Sequence, residues 1–113
     1  MEFKQIIVRA LSIKQQYASL EKQQYGRPWS GEELMLGYMK DIGDLARLIQ
    51  AKEGVRDSDE LDKKLAHELS DCLWSVIALA DHYEVDLESS FIQTMDEIQD
   101  RLEPRMQGGP THA

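Results

Sequence analysis

Apolar residues recur at helical spacing along most of the chain, and no stretch shows the strict alternation of a strand. Phe3, Ile6, Ile7, Ala10, Leu11, Tyr17 and Ala18 mark a first helix from about Glu2 to Gln24. Tyr25-Gly26-Arg27-Pro28-Trp29 interrupts it, because glycine and proline disfavour continuation. Ser30, with Glu33 three residues later, forms a capping box. It opens a second helix that carries Leu34, Tyr38, Leu45, Leu48 and Ile49 and ends at Gly54, a C′ glycine. Asp57 or Ser58 caps a third helix, from about Asp59 to His82. Asp86 caps a fourth, which holds Leu87, Phe91, Met95, Ile98 and Leu102 and stops before Pro104. The pattern predicts an all-α, four-helix bundle-type domain over 1–104. A disordered tail is expected over 105–113, since Gln107-Gly-Gly-Pro-Thr-His-Ala113 has nothing to bury.

The third helix departs from simple amphipathicity. Leu69, Cys72, Leu73, Trp74, Val76, Ile77, Leu79 and Ala80 make most of its circumference apolar, which requires burial on several sides. A second subunit packed against this helix is the simpler solution, so the bundle is expected to be oligomeric.

Composition narrows the functional classes. With 113 residues there is room for one core, and 42% apolar against 30% charged residues is ordinary for a soluble domain. A net charge of −8 argues against a nucleic-acid polymer as partner, which would call for a basic patch. No apolar run approaches membrane-spanning length, and Met-Glu-Phe-Lys does not open a signal peptide. Cys72, the single cysteine, permits no internal disulfide and reads as a buried, inert thiol among Leu69, Leu73 and Val76. A reducing cytoplasmic location follows as the expectation.

The chemistry resides in two acidic pairs, Asp41-Ile-Gly-Asp44 and Glu68-Leu-Ser-Asp71. Three-residue spacing places both carboxylates of a pair on one helix face. Positions 41 and 71, and 44 and 68, sum alike about the break that begins at Gly54, so Asp41 is level with Asp71 and Asp44 with Glu68 and a hairpin brings all four together. At about 100° per residue, Asp41 falls inside the apolar stripe of Leu34, Ile42, Leu45 and Leu48, and Asp44 sits at its edge. A carboxylate there needs a partner or a metal. Four oxygen donors suit Mg²⁺ or Mn²⁺. A di-iron bundle would need Glu-x-x-His elements, which neither pair supplies, and His67, directly before Glu68, should point elsewhere. His67 and His82 read as surface or interface residues. Gly37 and Gly43, inside the second helix, serve either close helix packing or space beside Asp41.

The segments Gly37-Tyr-Met-Lys-Asp41-Ile-Gly-Asp44-Leu-Ala-Arg-Leu, Leu65-Ala-His-Glu68-Leu-Ser-Asp71-Cys-Leu-Trp and Tyr83-Glu-Val-Asp86-Leu-Glu together resemble the MazG-like all-α nucleoside triphosphate pyrophosphohydrolases. That family carries an E-x-x-E pair on one helix and an E-x-x-D pair on the next. The resemblance runs from about Leu34 to Leu102. It implies Mg²⁺-dependent cleavage between the α- and β-phosphates, with Asp41, Asp44, Glu68 and Asp71 as metal ligands that activate a water. It also implies a homodimer or homotetramer with sites at subunit contacts, and a role in clearing non-standard nucleotides.

The first pair differs from the family pattern, with Asp at both positions where Glu is usual and Lys40 where another Glu often stands. Thr94 and Ile98 occupy positions where a Lys and an Asn often hold phosphates or metal, leaving Lys40 and Arg101 as candidate replacements. Tyr17, Tyr25, Trp29 and Trp74 are candidates for the base pocket. Core or subunit packing competes for Tyr17 and Trp74, and a hydrophobic staple competes for Trp29. Two alternatives stand beside the leading reading: hydrolysis of another nucleotide such as phosphoribosyl-ATP, and a non-catalytic nucleotide-binding or interaction oligomer.

Overall fold

The computed structural model describes residues 1–54 and 59–108, so the Asp57 or Ser58 cap and the tail from 109 lie outside the described residues. It contains four helices, α1 Phe3–Tyr25, α2 Gly31–Glu53, α3 Asp59–His82 and α4 Leu87–Met106. No strand occurs among the described residues.

Helix ends follow their sequence signals in most places. α1 closes on Gly26 at φ 84°, a left-handed position that favours glycine. Ser30 caps α2: its hydroxyl accepts from the Glu33 N–H at 3.2 Å, and Glu33 Oε1 accepts from the Ser30 N–H at 2.9 Å. Arg27 Nη1 donates to the same Glu33 oxygen at 2.6 Å. That hydrogen bond from Arg27, followed by the one from the Ser30 backbone, lowers the Glu33 pKa to about 2. Asp86 caps α4 by accepting from the Ser89 N–H at 3.2 Å.

α2 ends at Gly54 as expected but by a different geometry, and the expected end of α4 is corrected. Gly54 lies at φ −83°, so the chain leaves α2 without using a left-handed glycine. α4 runs through Pro104 to Met106. A proline this close to a C-terminus costs one ladder bond, and the Gln107 N–H still closes the last turn on the Glu103 carbonyl at 3.1 Å.

The main packing unit is the antiparallel α2–α3 hairpin. Its register is marked at one end by Lys52 on Asp62, at 2.7 Å. At the other, Gly31 lies so close to Tyr83 that a side chain there would strike the ring. Leu34, Leu61, Ile77 and Ala78 are buried in this unit, Ile77 and Ala78 to 3% and 1% exposure. α1 lies along α3, held by the Trp74 Nε1–H donating to the Ala10 carbonyl at 3.1 Å and by Lys14 on Asp81 at 3.1 Å.

α4 makes only marginal contact with the other three helices. The α3–α4 turn puts Glu84 at φ 57° and closes with the Val85 N–H on the Ala80 carbonyl at 2.8 Å, after which α4 projects outward. The radius of gyration is 18.4 Å, against about 13 Å for a packed domain of roughly this size. Phe91, Ile92 and Met95 are therefore exposed on α4. Leu69 and Leu73, expected beside Cys72 in the interior, are about half exposed on α3.

Gly43 faces open space, with no atom near the place a Cβ would occupy. Close helix packing does not account for it. Gly43→Ala is expected to raise unfolding free energy by about 1 kcal/mol through helix propensity alone, measured by urea denaturation; a loss would reveal a contact at this face. Glu33, whose folded pKa is depressed from 4.5 to about 2, contributes stability that is complete above 4.5 and fades as pH falls towards 2. Glu33→Gln should flatten the acid limb of the stability profile in that window.

Candidate metal centre and adjoining cavities

The α2–α3 register sets the site. Asp41, Asp44 and Glu68 each bring a carboxylate oxygen within 4.8 Å of the other two. All three are partly buried. Glu68 Oε1 is fully shielded and has no hydrogen-bond donor. The Glu68 pKa is raised, first by burial, then by sharing a hydrogen bond with Asp41, then by the charges of Asp41, Asp71 and Asp44. Three converging carboxylates, with a buried, unpaired oxygen on Glu68, fit a hard divalent cation.

Asp71 stands outside this trio. Its Oδ2 lies 3.2 Å from His67 Nε2, one helical turn earlier. His67 therefore turns towards the acidic residues, where the sequence pattern had it pointing elsewhere. Asp44 has basic neighbours on its own helix: Lys40 Nζ donates to it at 3.2 Å, and Arg47 donates to its other oxygen. Lys40 is correspondingly raised in pKa, chiefly by its hydrogen bond to Asp44. The pKa of the half-buried Cys72 thiol is pushed up by burial and then by the charges of Asp41, Glu68 and Asp71.

On one side of the carboxylates lies a cavity of about 710 Å³. Tyr17, Tyr25, Trp29 and Trp74 line it, with Lys40, Asp41 and Asp71 at its acidic edge. Tyr17 meets Trp74 edge to face, with ring centroids 5.7 Å apart. Trp74 thus serves the α1–α3 contact and the cavity wall together. The Trp29 N–H donates to Glu21 Oε1 at 2.8 Å, which fixes the α1–α2 connection over the cavity. A Cβ at Gly37 would stand 3.7 Å from the Trp29 ring, so this glycine borders the cavity and not a helix contact. Ile42 faces outward, which leaves Asp41 with Leu34, Leu45 and Leu48 on the inner side of α2.

On the other side Asp44 and Glu68 border a groove of about 510 Å³ whose remaining lining includes Arg47, Lys63 and Lys64. His67 lines both concavities. Arg101, on α4, is exposed and borders neither. Glu21, Arg47, Lys63 and Lys64 escaped the sequence reading. Arg47 three residues after Asp44 and Lys64 four before Glu68 were the available signals.

An oxygen-only cluster on a helical hairpin, beside an aromatic cavity, defines a class of helical domain able to hold a hard cation next to a planar ligand. A family model, the MazG nucleotide pyrophosphohydrolase domain, matches residues 30–106. The chain belongs to that family, and nucleotide pyrophosphohydrolysis in general is the reaction class that membership supports. No curated protein matches the chain. None of the helices among the described residues is long and apolar enough to cross a membrane.

Removing the Glu68 charge tests the electrostatics directly. Because burial raises its pKa above 4.5, the folded chain holds this proton more tightly than the unfolded chain. Stability should therefore fall as pH rises from about 4.5 through the folded value. Without divalent ions at pH 7, Glu68→Gln is expected to unfold at higher temperature than wild type. Added Mg²⁺ should stabilise wild type and leave the variant nearly unmoved; equal responses in the two proteins would contradict a cation site here.

Proposed function

We propose that the chain is a Mg²⁺-dependent hydrolase of nucleoside or deoxynucleoside triphosphates, with Mn²⁺ as a possible substitute ion. It cleaves between the α- and β-phosphates, releasing the monophosphate and pyrophosphate. The observation that carries this reading is the meeting of Asp41, Asp44 and Glu68, with Glu68 Oε1 buried and undonated and Asp41 at the edge of an aromatic cavity.

Asp41, Asp44 and Glu68, with Asp71 one turn along, are the groups that would hold the ions. Bound there, a divalent cation supplies Lewis acidity: it offsets phosphate charge and acidifies water. The chain's own residues do the rest. Trp29 and Trp74 offer ring faces to a base, a contact that tolerates more than one base identity. Lys40 at the cavity edge contributes a cation towards the phosphates. Asp41 and Asp71 both border the cavity, so each is placed to accept the proton released on attack by water.

The exposed Leu69 and Leu73 on α3, with Phe91, Ile92 and Met95 on α4, support assembly into a homodimer or homotetramer. A role in removing non-standard nucleotides follows from the same chemistry. The engagement of Asp44 by Lys40 and Arg47 favours one competing reading, a nucleotide-binding oligomer in which side-chain cations have displaced a metal.

Pyrophosphate release across standard and modified nucleotides, phosphoribosyl-ATP among them, separates these readings. Turnover dependent on Mg²⁺, lowered at least about a hundredfold by Glu68→Gln or Asp71→Asn, is the expected result. Binding without turnover in Mg²⁺ and Mn²⁺ would favour the non-catalytic oligomer. Light scattering on the same samples should give two or four times 13.0 kDa.

A further inference from the structure

We infer that Glu21 reads the base, and that the chain selects guanine nucleotides and other purines that keep guanine's paired donors. This rests on the nucleotide pyrophosphohydrolase reading and adds a substrate class to it.

Charge reaches the aromatic cavity from two directions. Lys40, Asp41 and Asp71 line it from the α2–α3 hairpin, at the carboxylate cluster. Glu21 lines it from α1, next to the rings. A further carboxylate works against a polyanionic guest unless that guest gives it hydrogen bonds in return.

Glu21 has acceptors to spare. Its Oε1 accepts from the Trp29 N–H at 2.8 Å. A carboxylate offers about four acceptor sites, so one backbone donor leaves most of that capacity open. The described residues offer Glu21 no second hydrogen bond or ion pair. The side chain is only partly exposed, which raises the cost of leaving those acceptors unmet.

Its position is that of an edge reader. The carboxylate touches the backbone of the residue whose indole lines the cavity, so a base laid against Trp29 brings its edge within reach. Stacking tolerates every base, and selection therefore falls to the polar groups beside the rings. The Ser70 hydroxyl already donates to the Ala66 carbonyl at 2.9 Å. Gln24, three residues after Glu21 on the same side of α1, also lines the cavity and carries an amide donor.

Guanine alone among the standard bases sets two donors, N1–H and N2–H, side by side. A carboxylate meets them as a fork, and the Gln24 amide can donate to the adjoining O6. Adenine and cytosine place one amine beside an acceptor, and thymine places one N–H between two carbonyls. On those edges the second carboxylate oxygen would face a lone pair.

Calorimetric binding of nucleoside monophosphates to the full chain in Mg²⁺ tests the assignment. The guanine and hypoxanthine deoxynucleotides dGMP and dIMP differ only in the 2-amino group. Wild type should bind dGMP about tenfold or more tightly than dIMP. Glu21→Gln should bring the two within about threefold. Its amide oxygen can still accept from the Trp29 N–H, so the near-UV circular dichroism of the indoles should match wild type. Glu21→Ala should lose both the preference and that match.

A wild-type preference for dGMP below about twofold would overturn the assignment, as would an unchanged preference in Glu21→Gln. Absence of binding by every monophosphate would remove it too. Pyrophosphate release from dGTP is followed separately. No turnover alongside a Glu21-dependent dGMP preference ends the pyrophosphohydrolase reading and leaves the base assignment standing.

Discussion

The confinement of like charge between α2 and α3 is the constraint on which the rest of the structure depends. Ile77 and Ala78 pack the hairpin, and the same packing presses Glu68 towards Asp41 and Asp44. Hydrophobic burial and carboxylate repulsion are thus imposed by one helix–helix contact. The fold answers in two ways, by bringing Lys40 and Arg47 onto Asp44 and by favouring the protonated form of Glu68. A divalent cation would remove the need for both.

Much of this was legible in the sequence, because helix periodicity is a property of local spacing. The caps at Ser30 and Asp86, the α2–α3 hairpin and the meeting of Asp44 with Glu68 follow from positions three, four and seven apart. Asp71 was less predictable: periodicity places its Cα but does not say that it will meet His67. Arg47, Lys63 and Lys64 look like an ordinary solvated face until the hairpin supplies the concavity beside them. Gly37 was ambiguous because a missing side chain serves a packed neighbour and a cavity equally well; the position of Trp29 decides it.

α4 shows where periodicity stops being informative. Its apolar stripe was evident, yet the stripe does not state what it packs against. The left-handed turn at Glu84 directs the helix away from the hairpin, so Phe91 and Met95 stay exposed. Leu69 and Leu73 on α3 share that condition. The interior formed by the described residues is accordingly thin, and much of their apolar surface is exposed.

The short connection from Gly26 to Ser30 has a thermodynamic consequence. It is fastened by Glu21 on the Trp29 N–H at one end and by the Arg27–Glu33–Ser30 cluster at the other. The backbone that carries Trp29 is therefore fixed before any ligand arrives. A guest entering the cavity does not have to freeze that loop, and each side chain ordered on binding would otherwise cost about 0.5–1.5 kcal/mol. Severing either fastening should leave the rings present but the wall loose, so affinity would decline through entropy with no contact removed.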